Sequence, residues 1–254
     1  MYDLQKSNIW KRFASFVLDM ILVTIIATGV LFLCSTVFKY DSYTQKLDEY
    51  YEEYNLDKKM TKDKYNELSK EEQAAYVERY NKFIEDERVV KVYNTIINLS
   101  IIMVTIAIVV AFLIVEFIIP LILHDGQTVG KKVFGLCVVK NDAVKINTVT
   151  LFIRSMIGKC VIEVMIPAII IVLIYFGGIG IIGTVILFIL AIIQIILLFK
   201  SKTTSLIHDA LAMTVVVDKN SQMIFDSEDD LIKFKEEAHL KSLGKEWKRN
   251  GGKD

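Results

Sequence analysis

Long apolar runs alternate with charge-dense stretches along this chain, and the alternation sets the elements. The first run, residues 10–38, is almost unbroken, with Arg12 at its start and Asp19 inside it. As a helix at 1.5 Å per residue, its stretch 13–38 spans roughly 39 Å. That exceeds the ~30 Å hydrocarbon core and predicts a tilted transmembrane helix. Further spans are predicted at 92–123, 151–176 and 181–199, the last two joined by the short uncharged turn 177–180. Pro167 predicts a kink in the third. Between the first two spans lies 39–91, charged, rich in Tyr and without Gly or Pro. Ser69 with Glu72 makes a capping box there, opening a helix that runs straight into the second span. The result is a helical hairpin outside the membrane, with Leu47, Tyr50 and Tyr54 facing Tyr76, Tyr80 and Phe83.

Two shorter patterns read as strands. Residues 133–139 and 144–149 flank Asn141-Asp142 as a β-hairpin, and 213–217 with 223–225 form a matching piece, so that the two pair as a small sheet. Ser227 with Asp230 opens an amphipathic tail carrying Leu231, Phe234, Leu240, Leu243 and Trp247, interrupted by Gly244. It lies either on the membrane surface or on the sheet.

The pattern thus predicts an all-α membrane protein of four transmembrane helices, with an extracytoplasmic helical hairpin and a small cytoplasmic β element. One membrane domain covers 1–254, with the hairpin insertion at 39–91, a β-hairpin loop at 124–150, and the β piece and tail at 200–254. Composition agrees: 53% hydrophobic residues, mean hydropathy +0.42 and two prolines belong to a polytopic membrane protein. The first run is about twice as long as a signal-peptide core and carries Asp19, so it is read as a retained helix. Basic residues set the sides. Lys6, Lys11 and Arg12 precede the first span, Lys131, Lys132, Lys140, Lys145 and Arg154 fill the second connection, and Lys200 and Lys202 follow the fourth. These belong inside, which makes both termini cytoplasmic. The hairpin's eleven Lys and Arg stand against fourteen acids in a long loop, where the rule weakens.

Charge inside the apolar runs supplies the candidate chemistry. A mid-helix Asp costs about 3 kcal/mol on insertion scales, and fifteen Ile, Leu, Val and Phe in 13–38 each return roughly 0.3–0.6. The first helix therefore inserts with its carboxylate, which faces the other helices. At helical rise Asp19 lies ~10 Å in from Arg12, Glu116 about 12 Å in from His124, and Glu163 ~13 Å in from Arg154. Gln194 is shallower. Three acids at similar depth hold a proton or bind a cation when desolvated together, the equipment of a proton-coupled cation exchanger. The alternative is static neutralisation, with Glu163 paired to Lys159, Asp19 to Arg154 or Arg12, and Glu116 to a hydroxyl or Gln194.

Other motifs exclude more than they assign. GQTVGKK (126–132) has the wrong glycine spacing for a phosphate loop and reads as a turn with its lysines at lipid headgroups. His124-Asp125 and His208-Asp209 lack a third metal-ligand neighbour. Asp209 caps the following strand or pairs with Arg12. Cys34, Cys137 and Cys160 are too scattered for a disulfide framework. Catalytic motifs are absent, basic clusters are too mixed with acids for nucleic acid, and no cofactor is expected.

Three stretches carry a family resemblance: KRFASFVLDMILV with Arg12 and Asp19, DGQTVGKKVFGLCVVK, and SLIHDALAMTVVVDK with Asp209. They resemble the RDD family of bacterial membrane proteins, named for one arginine and two aspartates. Ala210 stands where that family often has a basic residue, and Met213 where a Gly-Thr is common. The resemblance implies a multi-pass protein of the bacterial cell membrane, suspected of transport, with some members linked to cation/proton antiport. The expected function is transport of a small cation or other solute. The rival is a non-transporting scaffold that holds a partner through the hairpin or the tail, with Tyr50, Tyr54, Tyr76 and Tyr80 exposed. The expected partner is the lipid bilayer. A homo-oligomer stays open, since four helices enclose little space.

Overall fold

The computed structural model describes the backbone of residues 7–200 and 206–250 and the side chains of 7–199 and 206–241. Lys6 and Lys202 lie outside the described residues, as do the side chains of Lys200, Leu243 and Trp247. Four helices are long and apolar enough to cross a membrane: Ile9–Val37, Glu87–Leu123, Thr148–Tyr175 and Gly180–Phe199. Two hydroxyls within the first are satisfied locally. Thr28 and Thr36 donate to the carbonyls of Thr24 and Phe32, four residues back, as apolar surroundings require. The protein is a four-span helical membrane protein with a two-stranded sheet.

The chain divides into two compact units, residues 24–111, and residues 1–23 with 112–254. The first helix, α1 (Ile9–Val37), contributes to both. In the first unit follow α2 (Tyr40–Glu53), α3 (Lys62–Glu67), α4 (Lys70–Glu85) and most of α5 (Glu87–Phe112). The capping box of Ser69 and Glu72 opens α4 as expected. Leu56, Phe83 and Val89 form a small core against which Leu47, Tyr50, Tyr51, Tyr54 and Tyr76 pack. Tyr80 stacks on Phe83 at 6.4 Å and stays exposed. The predicted run of α4 straight into the span is corrected. Asp86 is extended and ends α4, and its carboxylate accepts the Arg88 N–H at 2.7 Å, capping α5 anew. The second span consequently begins at Glu87, five residues before the apolar run.

The other unit holds the N-terminal part of α1 and everything after α5. The second span continues through a π-helical segment, Leu113–Ile118, into α6 (Ile119–Leu123), and a turn leads to α7 (Val129–Val133). The third comprises α8 (Thr148–Phe152), a π-helical segment Ile153–Met165 and α9 (Ile166–Tyr175); α10 (Gly180–Lys200) is the fourth. Both π segments end just before a proline, Pro120 and Pro167. Proline has no N–H to close an α turn onto the carbonyl four residues back. Those carbonyls belong to Glu116 and Glu163, so the expected kink at Pro167 is met by a wider i→i+5 stretch ahead of it.

After α11 (Ile207–Leu211), β2 (Thr214–Asp218) pairs antiparallel with β1 (Leu136–Lys140), with Leu136 opposite Asp218 and Lys140 opposite Thr214. Cys137, Val139, Val215 and Val217 are buried on one face, Leu136, Val138 and Val216 on the other. The pairing of the two pieces is as expected, but the hairpin at 133–149 is not. Val133 belongs to α7, and the predicted second strand shrinks to two isolated bridges, Val139 to Lys145 and Val144 to Phe225. Ala143 takes a left-handed φ of 68°, and Asn147 accepts the Thr150 N–H at 2.7 Å to start α8, so the chain leaves the sheet early. The tail, α12 (Glu228–Asn250), opens with Ser227 accepting the Asp230 N–H at 3.2 Å. Leu231 and Phe234 pack on Ala143, Val144 and Phe225, so the start of the tail lies on the β element.

Candidate functional site

Asp19 is 1% exposed and is held by α7, not by an arginine. Thr128 Oγ1 donates to its Oδ2 at 2.5 Å and the Gly130 N–H to its Oδ1 at 2.8 Å. This approach works because residue 130 is glycine. A Cβ there would collide with the Ser15 carbonyl and stand 2.8 Å from Asp19 Oδ1. The expected pairing of Asp19 with Arg12 or Arg154 is thereby corrected. So is the placing of both GQTVGKK lysines at headgroups. Lys132 is exposed, but Lys131 turns inward and is 7% exposed.

Lys131 joins two of the predicted acids. Its Nζ donates to Thr128 Oγ1 at 3.1 Å and stands 3.8 Å from Asp19 Oδ2 and 3.9 Å from Glu116 Oε2. Burial pushes this ammonium down to about 8, with the cations Lys159 and Arg154 acting the same way against the pull of Glu116 and Asp19. Glu116, 2% exposed, also takes a direct ion pair from Lys159, so its expected partners, a hydroxyl or Gln194, are replaced by two lysines. Arg154 and Lys159 are five residues apart and would diverge on an α-helix, whereas the i→i+5 spacing of the π segment keeps both buried side chains near one side.

Asp209 anchors a second cluster. Arg154 donates Nε and Nη2 to its Oδ1 at 2.9 and 2.7 Å, and Arg12 Nη2 reaches its Oδ2 at 3.3 Å. The pairing of Arg12 with Asp209 is as expected; the share taken by Arg154 is not. Burial of Asp209 works to raise its carboxyl, but Arg154, His208 and Arg12 together hold it well below the usual carboxylate range. Glu163 takes His208 in place of the expected Lys159, with His208 Nδ1 2.9 and 2.8 Å from its two oxygens. Gln194 Oε1 accepts the Ile207 N–H at 3.3 Å, tying α10 to the start of α11. Gly158 lets α11 approach, since a Cβ there would meet His208 Cβ at 2.7 Å. The other His-Asp pair lies in a separate network, where Asp125 binds Lys219 at 2.8 Å and Lys145 at 3.3 Å.

A cavity of about 310 Å³ opens onto these groups. Arg12, Asp19, Lys131, Arg154, Lys159, Glu163 and His208 line it, while Glu116 and Asp209 stand behind the lining cations. The structure thus brings Asp19 and Glu116 onto one lysine and Arg12, Arg154 and Asp209 into one cluster. Glu163 reaches the same cavity from a separate pair. The profile of the RDD family matches residues 6–213. The chain belongs to the RDD family. No curated protein and no solved structure matches it. Arg12, Asp19 and Asp209, the residues on which the family resemblance rests, all lie in the one polar region, with Arg12 and Asp209 in direct contact.

The residues that sequence reasoning missed are Thr128, Lys131 and His208. Thr128 is a residue type that caps helix N-termini, a signal that the turn reading absorbed. A second signal was a repeat, EFIIP at 116–120 and EVMIP at 163–167, which sets a glutamate four residues before each proline of the chain.

Proposed function

We propose that this RDD protein is a membrane carrier that exchanges a small monovalent cation for a proton, with Asp19 and Glu116 holding the cargo. The observation that carries the reading is the position of Lys131. Its ammonium stands between the two carboxylates, 3.8 and 3.9 Å away, and makes no direct hydrogen bond to either. Glu116 Oε2 has no hydrogen-bond partner among the described residues. A side-chain cation therefore occupies the place that a free cation would take.

Charge balance then sets the exchange. When Lys131 gives up a proton, two carboxylates in a low-dielectric site lack one positive charge, and entry of one monovalent cation restores it. Return of the proton expels the cation, one for one and without net charge movement. The interrupted second and third spans support the reading, because irregular helix within a membrane is tolerated where it lines a cavity. The same reading sets the chain in a bacterial cell membrane with both termini cytoplasmic, and it needs neither a covalent step nor a cofactor. The scaffold reading required four exposed tyrosines; Tyr80 is exposed, while Tyr50, Tyr54 and Tyr76 are half-buried against the hairpin core.

The test uses the purified full chain in vesicles with a trapped pH dye. Addition of Na+, K+ or Li+ should drive proton exit, and Asp19→Asn, Glu116→Gln and Lys131→Gln should each lower the rate at least tenfold. Exchange that proceeds unchanged in all three variants, or is absent from the parent chain, removes the proposal.

A further inference from the structure

The charge of the cavity lining is lopsided, and this is independent of cation exchange. Four cations, Arg12, Lys131, Arg154 and Lys159, face it together with two carboxylates, Asp19 and Glu163. The carboxylates that partner most of these cations, Glu116 and Asp209, are fully buried behind them. Donor capacity remains on the cavity side. Arg154 spends Nε and Nη2 on Asp209, leaving its Nη1 group without a hydrogen bond among the described residues. Among the described residues Lys131 Nζ makes one hydrogen bond, to Thr128, out of three available.

Apart from Ser15 and His208, which is paired with Glu163, the rest of the wall is apolar. Ile9, Phe13 and Phe16 border the cavity and are also about half exposed on the outer surface of α1. Cations in a recess with an apolar rim suit an oxyanion, and a partly enclosed setting strengthens charge-assisted hydrogen bonds to it. At about 310 Å³ the space is at the small end for ligand sites and holds a head group, not an acyl chain.

We infer that this cavity binds a phosphate group through Arg12, Lys131, Arg154 and Lys159. Two sources share that chemistry, free phosphate and the head group of an anionic phospholipid whose chains lie along Phe13 and Phe16. Thermal unfolding of the full chain separates them. One arm titrates inorganic phosphate against the protein in zwitterionic detergent. The other compares nanodiscs of phosphatidylcholine alone with nanodiscs containing phosphatidylglycerol.

Saturable stabilisation by phosphate assigns a free-phosphate site, and stabilisation by phosphatidylglycerol alone assigns a lipid site. Stabilisation by neither overturns the proposal. Because single loss of a buried cation threatens folding, the deciding variant is Glu116→Gln with Lys159→Gln, which removes one lining cation and the acid behind it together. It should weaken the ligand effect at least fivefold, as should Arg12→Gln at the partly exposed edge. Exposed Lys132→Gln should leave it unchanged. Equal weakening by Lys132→Gln, or no weakening by the other two, would mean general charge attraction and overturns the site.

Discussion

At Gly130 the polar region depends on the absence of one methyl group. A Cβ at this position would strike the Ser15 carbonyl, which is backbone and cannot swing aside, so Gly130→Ala must push α7 off α1 and open the contacts to Asp19. Overpacking of this kind costs about 1–3 kcal/mol, readable as a lower unfolding temperature in detergent. Gly29→Ala in the same helix α1, where nothing lies within 4 Å, should cost nothing. Asp209 tests the charges. Its side chain is fully buried and would keep only the longer Arg12 contact at 3.3 Å and His208, so Arg154→Met should destabilise, by up to about 3–5 kcal/mol, the full cost of breaking a buried pair. Arg154→Met with Asp209→Asn should recover much of the loss. A double variant no better than the single would sink the ion-pair account. Lys131 adds a pH signature. Its ordinary value of 10.5 falls to about 8 in the folded chain, so between those values the unfolded chain binds more protons. Stability should therefore rise with pH from about 8 to 10.5 and stay flat in Lys131→Met.

At the scale of elements, the hairpin offers a separate acid test. Asp86 accepts from the Arg88 side chain and backbone N–H and from the Tyr54 hydroxyl. Led by Arg88, these bonds hold its carboxyl down to about 2 from an ordinary 3.8. A depressed carboxyl stabilises the fold above its unfolded value and loses that effect as pH falls through the folded one. Tyrosine fluorescence of the full chain should accordingly show a transition between about pH 4 and pH 2. In Asp86→Asn the transition should vanish; if it persists, another acid governs the hairpin. Asp86 also marks where sequence reading stops. The spans, the Ser69 cap and the tyrosine core were legible because helical spacing and length are local properties. The break at Asp86 was not, since Glu87–Lys91 are polar enough to hide a new helix start. The π segments stayed hidden because both glutamate–proline pairs sit in apolar runs whose composition satisfies an α-helix equally well. The partners of Asp19, Glu116 and Glu163 come from elements remote in the chain, Thr128 and Gly130, Lys159 and His208, and no local spacing encodes such pairings.

For the whole molecule, the number of crossings ties the two polar connections of the larger unit together. Residue 132 follows the second span and residue 220 the fourth, so two crossings separate them and both should open to one compartment. Under the proposed orientation, which rests on positive residues near the first, second and fourth span ends, that compartment is the cytoplasm. Lys132 and Asn220 are exposed side chains, suitable for single cysteine replacement. Background from the native thiols is small, because Cys137 and Cys160 are buried and Cys34 lies within the first span. In intact cells an impermeant maleimide should label neither Lys132→Cys nor Asn220→Cys, and permeabilisation should make both reactive. Labelling of both from outside would invert the protein and turn the lysine-rich side of the cavity outward. Labelling of one alone would remove a crossing between them. In that case α9 and α10 would not both span, and the placement of Gln194 beside the start of α11 would lose the membrane setting that the exchange proposal assumes.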